Sequence, residues 1–255
     1  MEISLVYYYI YDSFLNDRKY DRVLAKIENR LANFEINGKI TKLSTLKSIE
    51  DNVLDEVKHG TLNIVAVGDD STVLKIINII ANLDNVTLGI IPLGERNEIA
   101  RLLGIPLGES ACEVLSSRKV ELLDLGKVNN RYFISNIDFG DSKLEIVCDG
   151  QYKISPIGSN YVKICNICDS GYGEKKYFNP KDGFLEVVIG KKTRKWLFDS
   201  REKVTPSIFS IKKLFVTGDK LIPIMLDKKV FLKTPLEIVV EPQKLKVIVG
   251  KDRVF

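Results

Sequence analysis

The feature that most constrains this chain is the run Leu62 to Val67, LNIVAV, followed at once by Gly68 and then by an apolar stripe at helical spacing, Val73, Ile76, Ile77, Ile80 and Leu83. A strand without polar alternation needs cover on both faces, and a parallel sheet flanked by helices provides it. The flanking sequence supplies the necessary crossovers. Ile3 to Ile10 is an apolar, β-rich run, and Tyr20, Val23, Leu24, Ile27 and Leu31 form one helical stripe. Lys39 to Leu43 predicts a short strand, Leu46 to Val57 a helix and Thr87 to Ile91 a further strand. Asn97 to Leu103 predicts a short helix stopped by Gly104 and Pro106. This β-α-β-α order specifies a doubly wound α/β layer.

Beyond about residue 118 the pattern changes. Phe184 to Ile189, Leu236 to Val240 and Leu245 to Val249 are short and rich in β-branched residues. Asp182-Gly183, Thr217-Gly218-Asp219 and Glu241-Pro242-Gln243 read as the turns between such strands. The expectation is therefore an α/β domain over residues 1–118, followed by an antiparallel β-sandwich domain over 119–255. No internal repeat or low-complexity tract interrupts either part.

Composition excludes several classes of function. A net charge of +4 suits anionic small molecules or a membrane surface and is too weak to argue for nucleic acid. The start, Met1-Glu2-Ile3-Ser4, lacks the basic and apolar regions of a secretory signal. Runs such as Ile76 to Ile80 and Leu88 to Pro92 are too short to span a bilayer, so the expectation is a cytoplasmic protein without a transmembrane segment. Lys191 to Lys195, Lys212-Lys213 and Lys228-Lys229 read as solvated loop and edge charges, with a lipid-headgroup patch as the alternative. His59 is the single histidine, which disfavours Ser-His-Asp and Cys-His mechanisms. Cys165 and Cys168 form one CxxC without a second ligand pair, and with Cys112 and Cys148 they are expected as packed, reduced thiols.

Ligands of open α/β sheets sit beyond the carboxyl ends of the strands, where helix N-termini collect anions. Two strand ends carry informative sequences: Val67-Gly68-Asp69-Asp70-Ser71-Thr72 and Pro92-Leu93-Gly94-Glu95-Arg96-Asn97-Glu98. On local physics alone Asp70, Ser71, Thr72 and Asn97 are good helix caps, and capping is favoured over ligand binding.

The same stretches resemble a known family. LNIVAVGDDSTVLKIIN, from Leu62 to Asn78, resembles the strand, G-G-D-G-T turn and helix of diacylglycerol and sphingosine kinases and their bacterial relatives. LGIIPLGERNEIARLLGIP, from Leu88 to Pro106, resembles that family's L-G-I-I-P-x-G-T-x-N-D-x-A-R-x-L-G-I-P segment. Phe133 to Gly140 is similar to F-x-N-x-x-G-x-G, and NPKDGFLEVVI, from Asn179 to Ile189, to A-x-x-D-G-x-L-D-V-V. Leu226-Asp227 stands where the family has D-G-E, within closing strands from Ile222 to Val249.

The resemblance implies a first domain that binds ATP with Mg2+ and a second that meets a lipid at a membrane surface. It makes Gly68, Asp69, Ser71, Thr72, Gly94, Glu95 and Asn97 nucleotide-side residues. Asp227 becomes the general base, grouped with Asp70 as the catalytic acids, and Asp182 becomes a metal ligand. The chemistry is phosphoryl transfer to a diacylglycerol or related hydroxyl, a reaction that depends mainly on placing phosphates and one carboxylate. The resemblance leaves a homodimer and a peripheral membrane contact open.

Departures from the family pattern matter equally. Asp69 and Ser71 replace two glycines of the turn, adding a charge and a Cβ. Lys75 replaces a glutamate, Glu95 a threonine or serine, and Lys228-Lys229 the glycine and glutamate after the base. The N-P-x-S-G turn after the first strand is absent from Tyr8 to Ser13, where Ser13 alone is in a position to reach a phosphate. A pseudokinase that binds a nucleotide, lipid or protein is thus the alternative, and an NAD-kinase-like activity is a more distant one.

Overall fold

The computed structural model describes residues 6–43, 48–139, 143–156, 160–168, 177–191, 206–218, 221–227 and 230–255. The chain divides into two compact units, Met1–Leu123 with Lys244–Val254, and Asp124–Gln243 with Phe255. Residues 244–254 thus belong with the first unit although they close the sequence. Gly140, Lys192 to Lys195, and Lys228-Lys229 lie outside the described residues.

In the first unit β1 (Tyr7–Tyr11), α1 (Asp21–Asn33), β2 (Gly38–Lys42), α2 (Ile49–Lys58), β3 (Asn63–Gly68), α3 (Asp70–Ile80), β4 (Thr87–Pro92), α4 (Glu98–Leu102) and α5 (Ala111–Ser117) follow one another. The strands pair in the order β2-β1-β3-β4, all parallel. Helix α2 packs on α3, and α1 on α5. Both faces of the central strands are covered: Ile64, Val65, Ala66 and Val67 are 0% exposed, each large side chain contributing roughly 1.5–3 kcal/mol of burial. Strand β1 is a buried row of tyrosines, Tyr7, Tyr8, Tyr9 and Tyr11, around Ile10. Their hydroxyls reach partners at the edge of the core: Tyr9 donates to the Ile36 carbonyl, Tyr11 to Glu28, and Arg118 donates to Tyr7. Burial pushes the Tyr9 and Tyr11 hydroxyls up, so both remain neutral donors.

The second unit starts within β5 (Val120–Val128) and continues through β6 (Arg131–Phe133), β7 (Asn136–Asp138), β8 (Leu144–Cys148), β9 (Tyr152–Ile154) and β10 (Asn160–Cys165). Then come β11 (Leu185–Lys191), β12 (Ser207–Ile211), β13 (Lys213–Gly218), β14 (Pro223–Leu226), β15 (Val230–Lys233) and β16 (Leu236–Ile248). One antiparallel layer runs β12-β11-β10-β7-β14-β15, and a second joins the start of β16 to β13, β8 and β9. Ile164, Leu185, Val187 and Ile224 of the first layer share one core with Ile146, Leu214, Val216 and Ile238 of the second. This is the expected α/β part with a β-sandwich.

Two local expectations fail here. Glu241-Pro242-Gln243 does not separate two strands but lies inside β16, where Gln243 takes φ 52 and donates its N–H to Asp124 Oδ1 at 2.8 Å. A proline is tolerated in a strand at such an irregularity. Cys165 and Cys168 form a disulfide rather than packed thiols, because the turn after β10 returns their Cα atoms to 5.6 Å. Cys112 and Cys148 are free and buried, as expected.

Candidate functional site

The order β2-β1-β3-β4 reverses direction between β1 and β3, and the crevice outside the carboxyl ends at such a switch point is the usual ligand position of an open α/β sheet. Asp12 follows β1, Gly68-Asp69 ends β3, and Leu93-Gly94 follows β4. Backbone bonds knit these ends together: Asp12 N–H to Val67 O at 2.9 Å, Leu93 N–H to Gly68 O at 2.9 Å, and Asp70 N–H to Arg96 O at 2.9 Å.

Asp69 is the N-cap of α3, with extended backbone at φ −92 and ψ 179, and its carboxylate accepts from Ser71 N–H at 2.7 Å. Its carbonyl accepts from Thr72 N–H at 3.0 Å and Val73 N–H at 3.2 Å. Asp70 does not cap its own helix. It is 8% exposed, and its carboxylate crosses to α4, accepting from Glu98 N–H and Ile99 N–H at 3.0 Å each. Asn97 occupies the N-cap position of α4 without a side-chain cap bond, and its amide instead donates to Gly94 O at 3.0 Å. The local capping expectation for Asp70 and Asn97 is thereby corrected: a carboxylate 28 positions upstream of Glu98 fills the place that Asn97 leaves.

The glycines at these ends are required by close approach. A Cβ on Gly68 would lie 2.9 Å from Asp12 Cβ and 3.1 Å from Thr72 Oγ1. Gly94 has φ +91, and a Cβ there would meet the Phe14 ring at 2.9 Å. Phe14 in turn meets Tyr20 edge-on, with centroids 5.3 Å apart. Glu95 and Arg96 are exposed. Asp12 is the residue that sequence reasoning missed. Its carboxylate accepts from Thr72 Oγ1, from Ser13 Oγ at 3.2 Å and from Phe14 N–H at 3.3 Å. The signal was its place one residue before Ser13 as an N-cap directly after a buried strand. Ser13, singled out for phosphate, bonds Asp12.

In the second unit Asp227 is 9% exposed at φ 45, and three backbone amides converge on its carboxylate: Ile134 at 3.2 Å, Ser135 at 2.9 Å and Asn136 at 3.0 Å. The Asp227 N–H donates to Asn136 O at 2.9 Å, which fixes the residue against β7. Asp182 is exposed and accepts from Phe184 N–H at 3.0 Å. The next residue, Gly183, donates to Asp124, a 1% exposed carboxylate that also holds Gln243. Glu186 went unremarked in the sequence. It is 5% exposed, its Oε2 has no hydrogen-bond partner, and burial together with the nearby charge of Asp182 pushes its carboxyl up to about 7.

Among the described residues, no three His, Cys, Asp or Glu side chains come together in a way that could hold a metal ion. At the strand ends the Asp12, Asp69 and Asp70 carboxylates accept from amides and hydroxyls. The described residues therefore do not build a protein cage for Mg2+. For a nucleotide the fit is mixed. Gly68 and Gly94 keep the backbone bare, while the α3 amides are already engaged.

Residues 7–128 match the family model described as the diacylglycerol kinase catalytic domain. The chain is 39% identical over 94 residues to the diacylglycerol kinase of Bacillus subtilis, covering 36% of this chain and 31% of that enzyme. It is 35% identical over 137 residues to the diacylglycerol kinase of Staphylococcus saprophyticus, covering 53% and 43%. The matches therefore span less than half the length of those two relatives. A crystal structure of a diacylglycerol kinase from Bacillus anthracis shares the fold at TM-score 0.79 and 21% identity, over 98% of this chain and 99% of that one. An NAD kinase from Archaeoglobus fulgidus, solved with ATP, is similar at TM-score 0.58 and 15% identity, over 98% and 96%. Over residues 7–128 the chain is thus similar to the diacylglycerol kinase catalytic domain, and its fold is shared with a solved diacylglycerol kinase.

Proposed function

We propose that this chain uses ATP to phosphorylate the hydroxyl of a diacylglycerol or related lipid. The observation that carries the reading is the pair of strand-end turns at the switch point, held in register by the Asp70 carboxylate on the Glu98 and Ile99 amides. Phosphoryl transfer needs the phosphates placed more than it needs covalent chemistry, and a rigid pair of turns with bare glycines suits that demand. Nucleotide placement falls to Gly68, Ser71, Thr72, Gly94 and Asn97, in the part before residue 118, and lipid binding to the part from 119 onward.

Asp227 takes the proton of the lipid hydroxyl, whose oxygen attacks the γ-phosphorus as the bond to ADP breaks. The three amides on Asp227 support this role by fixing its carboxylate in one orientation. Mg2+ supplied with ATP would offset the phosphate charge. No helix among the described residues is long and apolar enough to cross a membrane, so the lipid would be met at a membrane surface.

A second reading, binding without turnover, is favoured by one feature: Asp69 and Glu95 bring acid to the turns that would meet phosphate. At about 4 Å a carboxylate and a phosphate charge repel by roughly 4 kcal/mol at an effective dielectric of 20. The deciding experiment incubates the protein with γ-labelled ATP, Mg2+ and diacylglycerol vesicles and counts label in the organic phase. Label above a no-protein control, lost in Asp227→Asn, is the expected result. No label, while an active diacylglycerol kinase works in the same vesicles, would replace the kinase reading by the second.

A further inference from the structure

The backbone amides that hold the Asp227 carboxylate are themselves held from the other side. A carbonyl and the N–H that follows it belong to one planar peptide group. Ile134 O and Ser135 N–H therefore share a group, as do Ser135 O and Asn136 N–H. Both of these N–H groups donate to Asp227 Oδ1, at 2.9 Å and 3.0 Å. Both carbonyls accept from Asn166, whose side-chain amide donates to Ile134 O at 3.0 Å and whose backbone N–H donates to Ser135 O at 2.8 Å. Ile134 O also accepts from Ile167 N–H at 3.3 Å. The side-chain amide of Asn166 donates a second time, to Asp124 O at 2.9 Å, and two carbonyls at one end of the side chain identify that end as its nitrogen. Asn166 is 1% exposed, and its Oδ1 has no partner among the described residues. A buried acceptor without a partner costs stability, so the place of Asn166 in the fold rests on the bonds it donates. The Cys165–Cys168 bridge closes the turn that carries Asn166, and Cys165 pairs with Asn136 across β10 and β7.

We propose that Asn166 is a positioning residue for Asp227, acting through the two peptide groups between Ile134 and Asn136 without touching substrate. The inference rests on the reading of Asp227 as the base that takes the lipid hydroxyl proton, and it names the residue that keeps that base in line. Hydrogen bonds in series polarise one another, so a donor on each carbonyl strengthens the N–H at the far side of the same peptide group. A base works only within hydrogen-bond reach of its proton, so a carboxylate turned off that line slows the transfer. The two links separate under mutation. The backbone N–H of Asn166 survives a side-chain substitution, so only the link that ends at Ser135 N–H depends on the side chain. Asn166→Asp keeps the size of the side chain but sets an oxygen against both carbonyls, and Asn166→Ala removes the link outright.

The test compares wild type, Asn166→Asp and Asn166→Ala, with thermal melts to establish that each protein folds. Transfer of label from γ-labelled ATP to diacylglycerol vesicles gives kcat and the KM for ATP, and NMR follows exchange of the Ser135 and Asn136 amides. The expected result is a kcat lower by about tenfold or more in both variants, with the KM for ATP within about twofold of wild type. Exchange at Ser135 N–H is expected to rise by about tenfold, and exchange at Asn136 N–H to change less. An unchanged kcat in the folded variants, with wild type active, would overturn the role of Asn166 and leave Asp227 as the base. Equal acceleration at the two amides, with kcat and KM both altered, would also overturn it, since general loosening would then be responsible. If wild type transfers no label while an active diacylglycerol kinase does so in the same vesicles, the kinase reading fails and the inference falls with it.

Discussion

Helices α3 and α4 both begin at the end of a parallel strand, yet their N-termini are closed from different distances. Helix α3 is capped by Asp69, the residue immediately before it, whereas α4 is capped by Asp70, 28 positions upstream of Glu98. The local cap concerns one helix, and many residues could serve it. The distant cap ties two loops into one unit through a buried carboxylate that accepts from the Glu98 and Ile99 amides. The difference separates adjacent aspartates: Asp70 joins the two strand-end turns, and Asp69 caps the helix it precedes.

The largest effect that can break this comparison comes from Asp70→Ala. Two amides at the start of α4 lose their acceptor, at about 1–3 kcal/mol for each buried group, so a loss of about 3 kcal/mol is expected in urea denaturation. A loss no greater than that of Asp69→Ala would remove the distinction between the two caps.

A second prediction sets these partnered carboxylates against Glu186, which has an unpartnered oxygen. Its carboxyl rises from 4.5 to about 7 in the folded chain. The folded state therefore holds a proton that the unfolded state has released between those values, and stability falls as pH rises from about 4.5 through about 7. Glu186→Gln removes that loss and is expected to stabilise the protein at pH 8 by about 3 kcal/mol, with little effect at pH 4. A melting profile whose pH dependence matches that of wild type would show that Glu186 is solvated or paired in solution.

The smallest expected effect is that of Asp69→Ala, about 1 kcal/mol, as for a lost N-cap. Asp69→Asn should fall within 0.5 kcal/mol or so of wild type, since an asparagine cap keeps the bond to Ser71. A larger loss in Asp69→Asn would mean that the charge itself stabilises α3.

What the sequence made legible follows from the range of the forces involved. Strands β3 and β4 and helix α3 were readable because burial on both faces and helical spacing are written into consecutive residues. The sandwich was readable as a class, but β16 was not, because the carboxylate that holds Gln243 within it, Asp124, is far away in sequence. Helix α5 was not expected either. The positions of the two turns could be read, and the division of labour within them could not. Nothing local shows that Asp70 serves α4, or that Asp12 receives the Thr72 hydroxyl across the sheet. The Cys165–Cys168 bridge likewise depends on how the chain turns after β10.

The account stands on the claim that nucleotide meets the chain at the strand-end turns of the first unit. Hydrogen exchange read by mass spectrometry, with and without ATP and Mg2+, tests it most directly. Slower exchange in peptides covering residues 66–74 and 92–100 is the predicted result. Slowing confined to other segments, with those two peptides unchanged at saturating ATP, would contradict it.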